Sequence, residues 1–304
     1  MSEETTQERI ARIIAAFEAQ DDGYRRAEMD EAVALRDEIV PALLELLDRV
    51  VQDPWSFAAD EEYQGHLYAV ELLSFFRESR AHPIILRLFS LPRDLVDDLF
   101  GDVITEDLPM ILFNTCGGDL TGIKALLANK DAYVFSRLAA AHALAYATVD
   151  GLATREETMG LLGSLLAAPD GDDPEMLAGG LIGTMTDLGP EGYMDVIRQA
   201  FAADLVDLLF IDLDYVEQVH AAGPEAGWQE IRDDMARRRP ESVHDLMEWW
   251  AGFQEPSVPA TDTPLQLPPP PPTLRPLAEP ARKAKAAKKR ARKQAKASRR
   301  RNRK

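Results

Sequence analysis

The sequence predicts an all-α fold, an α-solenoid of stacked helical hairpins, followed by a spacer and a tail that do not fold. Three observations predict it. The first is an apolar signature that recurs four times, as Ile85-x-x-Leu88-Phe89, Ile123-x-x-Leu126-Leu127, Leu162-x-x-Leu165-Leu166 and Ile197-x-x-Ala200-Phe201. Its intervals of 38, 39 and 35 residues match the period of stacked hairpins. Each i, i+3, i+4 triplet is one face of a helix that cannot bury its stripe alone and must stack on a neighbour. The second is an abrupt change after Phe253 to a proline-rich stretch with five consecutive prolines, Pro268 to Pro272. The third is charge: residues 1–254 hold 19 Lys and Arg against 49 Asp and Glu, net −30, whereas residues 281–304 hold 14 Lys and Arg and no acid. The overall −18 averages these opposed regions. The organisation expected is an acidic helical-repeat domain over 1–254, a Pro-rich linker over 255–280 and a disordered Lys/Arg/Ala-rich tail over 281–304.

Each element has a local reason. Thr5 or Thr6 caps a first helix with Ile10, Ile13, Ile14 and Phe17 on one stripe, ending near Asp21-Asp22-Gly23. A second helical region runs from about Glu28 through Leu47, with Pro41 expected to open a new helix whose core face is Leu43, Leu44, Leu46 and Leu47. Asp53-Pro54 ends it. Glu62 to Glu78 is a long first helix carrying Leu67, Val70, Leu73 and Phe76, and Pro83 opens its partner. A short helix spans Leu95 to Phe100. The next pairs are Glu106 to Asn114 with Asp119 to Leu127, Ala132 to Thr148 with Glu156 to Ala168, and Met176 to Leu188 with Gly192 to Phe201. Brief alternation at Ile211, Leu213 and Tyr215 is equally a helix capped by Asp212. Helices at Glu225 to Arg237 and Glu241 to Ala251 finish the body, the last with Leu246, Trp249 and Trp250 as a cap over the open end of the stack.

Composition excludes several function classes. Cys116 is the only cysteine, which excludes an internal disulfide and a zinc site built on several thiolates. The N-terminus is acidic, without the basic and apolar regions of a secretory signal, and no apolar run reaches the roughly 18 residues that span a bilayer. The expectation is a soluble cytoplasmic protein with no membrane partner.

From about Ile39 to Val216 the chain resembles the bacterial family called domain of unknown function 1186. The likeness rests on His66-Leu-Tyr-Ala69, Phe75-Phe-Arg-Glu78, Pro83-x-x-x-x-Leu88-Phe89 and Gly101-Asp102-Val-x-Thr105-Glu-Asp107. It continues through Tyr133-Val-x-x-Arg137 with Ala140-Ala141, Arg155-Glu-Glu157 and Asp204-Leu-Val-Asp207. The resemblance implies a HEAT-like helical-repeat fold, not a reaction. Family members often end in a Cys-rich SEC-C zinc motif, and no cysteine follows Cys116 here, so a role that depends on that zinc knuckle does not transfer.

The polar cluster that stands out is His66, Asp102, Glu106 and Asp107, with His142 in a later hairpin. If neighbouring hairpins stack, an imidazole and carboxylates converge as in a metal or acid/base site. The structural alternative makes Thr105 an N-cap, Glu106 and Asp107 first-turn acids, and Asp102 a turn former. Asp170 to Glu175 reads as a solvated turn with a cap, and Cys116 as a buried thiol. No metal site and no cofactor is expected.

In the tail, Lys288, Lys289, Arg290, Arg292, Lys293, Arg299, Arg300, Arg301, Arg303 and Lys304 form a cation dense enough to hold phosphates, without aromatics to stack bases. The leading functional reading is a non-enzymatic interaction scaffold, its repeat surface binding a protein partner and its tail binding nucleic acid, ribosome or another polyanion. The rival is an enzyme or metal-binding protein working through His66, Asp102, Glu106 and Asp107.

Overall fold

A computed structural model describes residues 4–19, 23–60, 62–208, 210–248 and 250. The fold is all-α; among the described residues there are seventeen α-helices and no strand. The linker and tail, with the cations from Lys288 to Lys304, lie outside the described residues, as does Trp249.

The first helix, α1 (Thr6–Phe17), starts at a capping box in which the Glu8 amide donates to Thr5 Oγ1 and the Thr5 amide donates to Glu8 Oε2. α2 (Arg26–Ala34) and α3 (Arg36–Gln52) meet at Leu35, not at Pro41. Pro41 sits inside α3, where its missing N–H removes one helical bond while Ile39, Val40, Leu43 and Leu46 on either side are buried. α4 (Pro54–Ala59) follows, capped by Asp53. α5 is shorter than expected, Gly65–Phe75, because Arg77 takes a left-handed backbone (φ 53°) that closes the helix with a Glu78 N–H to Leu73 carbonyl bond.

The remaining helices of the array are α6 (His82–Phe89), α7 (Arg93–Phe100), α8 (Val103–Glu106), α9 (Leu108–Thr115), α10 (Thr121–Ala128), α11 (Val134–Val149), α12 (Arg155–Leu166), α13 (Pro174–Asp187) and α14 (Met194–Ala202). Thr105 is not an N-cap: it lies within α8, and its hydroxyl donates back to the Asp102 carbonyl. Thr154 and Glu157 form a second capping box at α12, and Asp173 caps α13.

The helices pack in succession. α3 lies on α5, α5 on α9, α9 on α11, and α11 on α13, while α6, α10, α12 and α14 contact these or one another alongside. Ile85, Ile123, Leu162 and Ile197, the first residues of the four signature copies, are all fully buried in one continuous core. Two arginines tie hairpin to hairpin. Arg137, fully buried on α11, donates to the Leu127 carbonyl and to both the carbonyl and carboxylate of Asp170. Arg155 on α12 donates to the carbonyls of Leu188 and Glu191. Both satisfy carbonyls left over at the ends of neighbouring helices.

The C-terminal part of the body departs from expectation. α15 (Leu213–Ala222) is capped by Asp212, and α16 (Glu225–Arg237) packs on α11 and α13. The chain then runs back toward the start. Arg239 reaches Phe113 and Asn114 of α9, and His244 bonds Tyr24 Oη at 2.8 Å and Asp30 Oδ1 at 2.9 Å. Arg26 and Glu248 form an ion pair. Where the sequence predicts a helix over Glu241 to Ala251, the helix among the described residues is the short α17 (His244–Met247), with Leu246 and Trp250 packed against the core. The segment holds the N-terminal helices and does not simply cover the last hairpin.

Candidate functional site

His66 and the three acidic residues predicted beside it do not form one site. His66 is 3% exposed; its Nε2 lies 2.6 Å from the Leu99 carbonyl, to which it donates. Its ring stacks on Tyr63 and meets the edge of Phe100. Burial pushes its pKa down to about 4, so the imidazole is neutral. Asp102 and Glu106 are exposed at the two ends of α8, and neither they nor Asp107 is a partner of His66. His142 packs on Tyr146, on the side where Asp234 of α16 lies. Among the described residues no group of three or more His, Cys, Asp or Glu is placed to hold a metal ion. Cys116 is buried, donates to the Phe113 carbonyl, and has its pKa raised by burial.

Asp107 belongs to a different constellation. A cavity of about 190 Å³ lies between α5, α9 and the returning C-terminal segment. α5 supplies Glu71 and Ser74, with Arg77 just beyond its end; α9 is preceded by Asp107 and supplies Asn114. Arg237, Arg238, Arg239 and Asp245 close it from the other side. One turn separates Glu71 from Ser74, so both face the same way.

Glu71 is 2% exposed, and its Oε1 has no hydrogen-bond partner. Burial foremost, then the nearby Asp107 carboxylate, push its pKa well up, with Arg238 opposing. The environment of Glu71 therefore favours its protonated form, which carries an O–H donor. Asp107 is raised to about 6 by burial, against the pull of Arg238, whose Nη1 lies 3.6 Å away. Arg238 is also held by Asp234 at 3.2 Å and donates to the Glu106 carbonyl. Arg239 lies over the Phe113 ring at 4.7 Å and donates to Asn114 Oδ1, while Asn114 donates to Ser74 Oγ. Neither Arg77 nor Arg239 has a carboxylate within ion-pair distance among the described residues. Burial and the neighbouring Arg77 charge lower the pKa of Arg239.

Chemically, the cavity joins the buried Glu71 carboxyl group, whose environment favours the protonated form, to the guanidinium groups of Arg77 and Arg239, which form no ion pair among the described residues, although the Asp150 charge acts on Arg239 from farther off. Of its polar groups the sequence reading singled out only Asp107. Glu71 is visible as one acid inside the apolar run Val70-Glu71-Leu72-Leu73, and Arg237-Arg238-Arg239 as a cationic triplet in an acidic body.

The comparisons extend the resemblance seen in the sequence. The family model described as a protein of unknown function (DUF1186) matches residues 8–254, wider than Ile39 to Val216 and including the returning segment. An uncharacterized protein of Chlamydia trachomatis serovar D is 32% identical over 194 residues, 64% of this chain and 77% of that protein. One of Chlamydia muridarum is 31% identical over 207 residues, 68% of this chain and 83% of that protein. No solved structure matches. No helix of the described residues is long and apolar enough to cross a membrane.

Proposed function

We propose that this chain, which belongs to the family of proteins of unknown function DUF1186, is a non-enzymatic cytoplasmic interaction scaffold. Its body is a HEAT-like α-solenoid that presents a surface to a protein partner, and its basic tail binds nucleic acid, ribosome or another polyanion. The observation that carries the reading is the succession of helices α3, α5, α9, α11 and α13, each packed on the next, with the four signature residues fully buried between them. Such an array spends its apolar residues on its neighbours and leaves a long side open for contact. Leu208, Phe210 and Tyr215 support it further: large apolar side chains, each about half exposed or more, within a short stretch of an otherwise charged surface.

The test is direct. Fluorescence anisotropy with a labelled RNA hairpin and a DNA duplex compares the full chain with a chain ending at residue 254. Full-length protein is expected to bind both and the shortened one neither. Equal binding by the two chains removes the role given to Lys288 through Lys304.

A further inference from the structure

We infer that the cavity between α5, α9 and the returning segment is a binding site for a small organic acid. Its carboxylate is held by the guanidinium groups of Arg77 and Arg239, and the acid group of Glu71 donates a hydrogen bond to the ligand's inner end. This assignment stands apart from the scaffold reading and survives or fails on its own test.

Charge is the first ground. In a body with 49 acids against 19 bases, a cation surrounded by acids is the ordinary case. Arg77 and Arg239 depart from it: they face one cavity, repel one another and pair with no carboxylate. An oxyanion between them converts that repulsion into two charge-assisted bonds, and the planar fork of arginine suits a carboxylate. The adjacent Arg237 and Arg238 add positive potential, although Asp234 partly neutralises them.

Glu71 is the second. A buried polar atom needs a partner, and the Oε1 of this carboxyl group has none. A ligand carboxylate or carbonyl oxygen supplies one. A cationic ligand would have to enter beside four arginines, which weighs against it.

Backbone geometry is the third. Glycine closes a helix in the left-handed region without cost, yet Arg77 takes that position at φ 53°. The conformation is one that L side chains rarely adopt, and it sets Arg77 on the cavity lining. Size limits the ligand. A volume of about 190 Å³ equals roughly six waters, which suits a compact mono- or dicarboxylic acid of about ten non-hydrogen atoms.

Binding depends on pH through named groups. Asp107, next to Glu106, ionises at about 6 and then repels the ligand. From α16, Arg238 and Asp234 offset each other; burial lowers the pKa of His142 of α11, Asp150 just past α11 adds a negative charge near Arg239, and Asp245 of α17 is an exposed acid at the rim. Affinity for an anion is therefore highest below pH 6 and falls as pH rises.

The experiment uses full-length protein with succinate as probe and putrescine as the cationic control, read by titration calorimetry and thermal melting at pH 5 and pH 8. Succinate is expected to bind, to raise the melting temperature, and to bind about tenfold tighter at pH 5. Arg77→Gly, which suits the backbone and removes the side chain with its guanidinium, should weaken binding tenfold or more while the protein melts no lower than the parent. Glu71→Gln keeps a neutral donor and should retain binding, and Asp107→Asn should flatten the pH profile. No succinate binding at millimolar concentration overturns the proposal. So does binding unaffected by Arg77→Gly, or a preference for putrescine that strengthens with pH and is lost in Glu71→Gln.

Discussion

Glu71 sets part of the protein's response to pH before any ligand is considered. In the unfolded chain its carboxyl titrates near the ordinary 4.5, whereas burial and Asp107 raise it in the fold. The native state then holds more protons above pH 4.5, so stability is greatest below that value and falls as pH rises. Asp107 and Asp187, each raised from 3.8 to about 6 by burial, act in the same direction between pH 4 and pH 6. Glu71→Gln, which cannot titrate, should therefore melt with the parent at pH 4.5 and above it at pH 8. A gain that is the same at both pH values would show that packing, not titration, is responsible. Arg137 is the opposite case, a buried charge with every direction answered, by Leu127 and Asp170. Arg137→Met should cost roughly 1–3 kcal/mol in denaturant unfolding, since it takes the donor from the buried Leu127 carbonyl while the Asp170 carboxylate is half exposed, and Arg137→Lys should not rescue it, since one ammonium cannot reach both α10 and the loop before α13. Such residues differ in how far sequence reveals them. Arg137 belongs to a motif, while Glu71, though set in an apolar run, carries no sign of what lies over it. Only the return of residues far along the chain, Arg237 to Leu246, makes a cavity over it.

Helices with their own caps and stripes are readable at the scale of elements, and those shaped by distant contacts are not. Glu225 to Arg237 matches α16 end to end because Pro224 and the apolar positions Ile231 and Met235 define it locally. α3 starts at Arg36 because burial of Ile39 and Val40 with the residues beyond Pro41 outweighs one missing hydrogen bond. Among the described residues from 241 to 248 the helix is the short α17, with His244 fixed by Tyr24 and Asp30, partners that no local pattern announces. The contact of α16 with α13 depends on Gly227, where an added Cβ would lie 2.3 Å from the Asp187 carbonyl oxygen and 3.0 Å from its Cα. Backbone cannot yield as a side-chain tip can. Gly227→Ala is expected to cost roughly 1–3 kcal/mol and to speed hydrogen exchange in 225–237 more than in α5. Gly122→Ala meets the far end of the Leu86 side chain instead and should cost less. Equal losses at the two positions would refute this distinction.

For the whole molecule, the fourfold signature is legible because each copy is a local apolar triplet at helical spacing, and the first residue of every copy is fully buried. The return of the C-terminal segment to Tyr24 and Asp30 has no period and left no such mark. Charge is the remaining feature at this scale, and it governs the last prediction. The tail's 14 cations can displace many counterions from a nucleic acid, so the logarithm of the binding constant should fall linearly with the logarithm of salt, by about 0.9 for each phosphate contacted on a duplex. The tail has no aromatic residue, so base stacking adds nothing and duplexes of different sequence should bind alike. The body's net −30 repels the same phosphates, and that repulsion is screened beyond about 10 Å at 0.1 M salt. A synthetic peptide of residues 281–304 should therefore bind more tightly than the full chain at low salt, with the two converging as salt rises. Anisotropy titrations of both against two duplexes of unrelated sequence, from 20 to 300 mM salt, measure every part of this. A salt-independent constant, or a strong preference for one duplex, would mean that recognition rests on something other than charge.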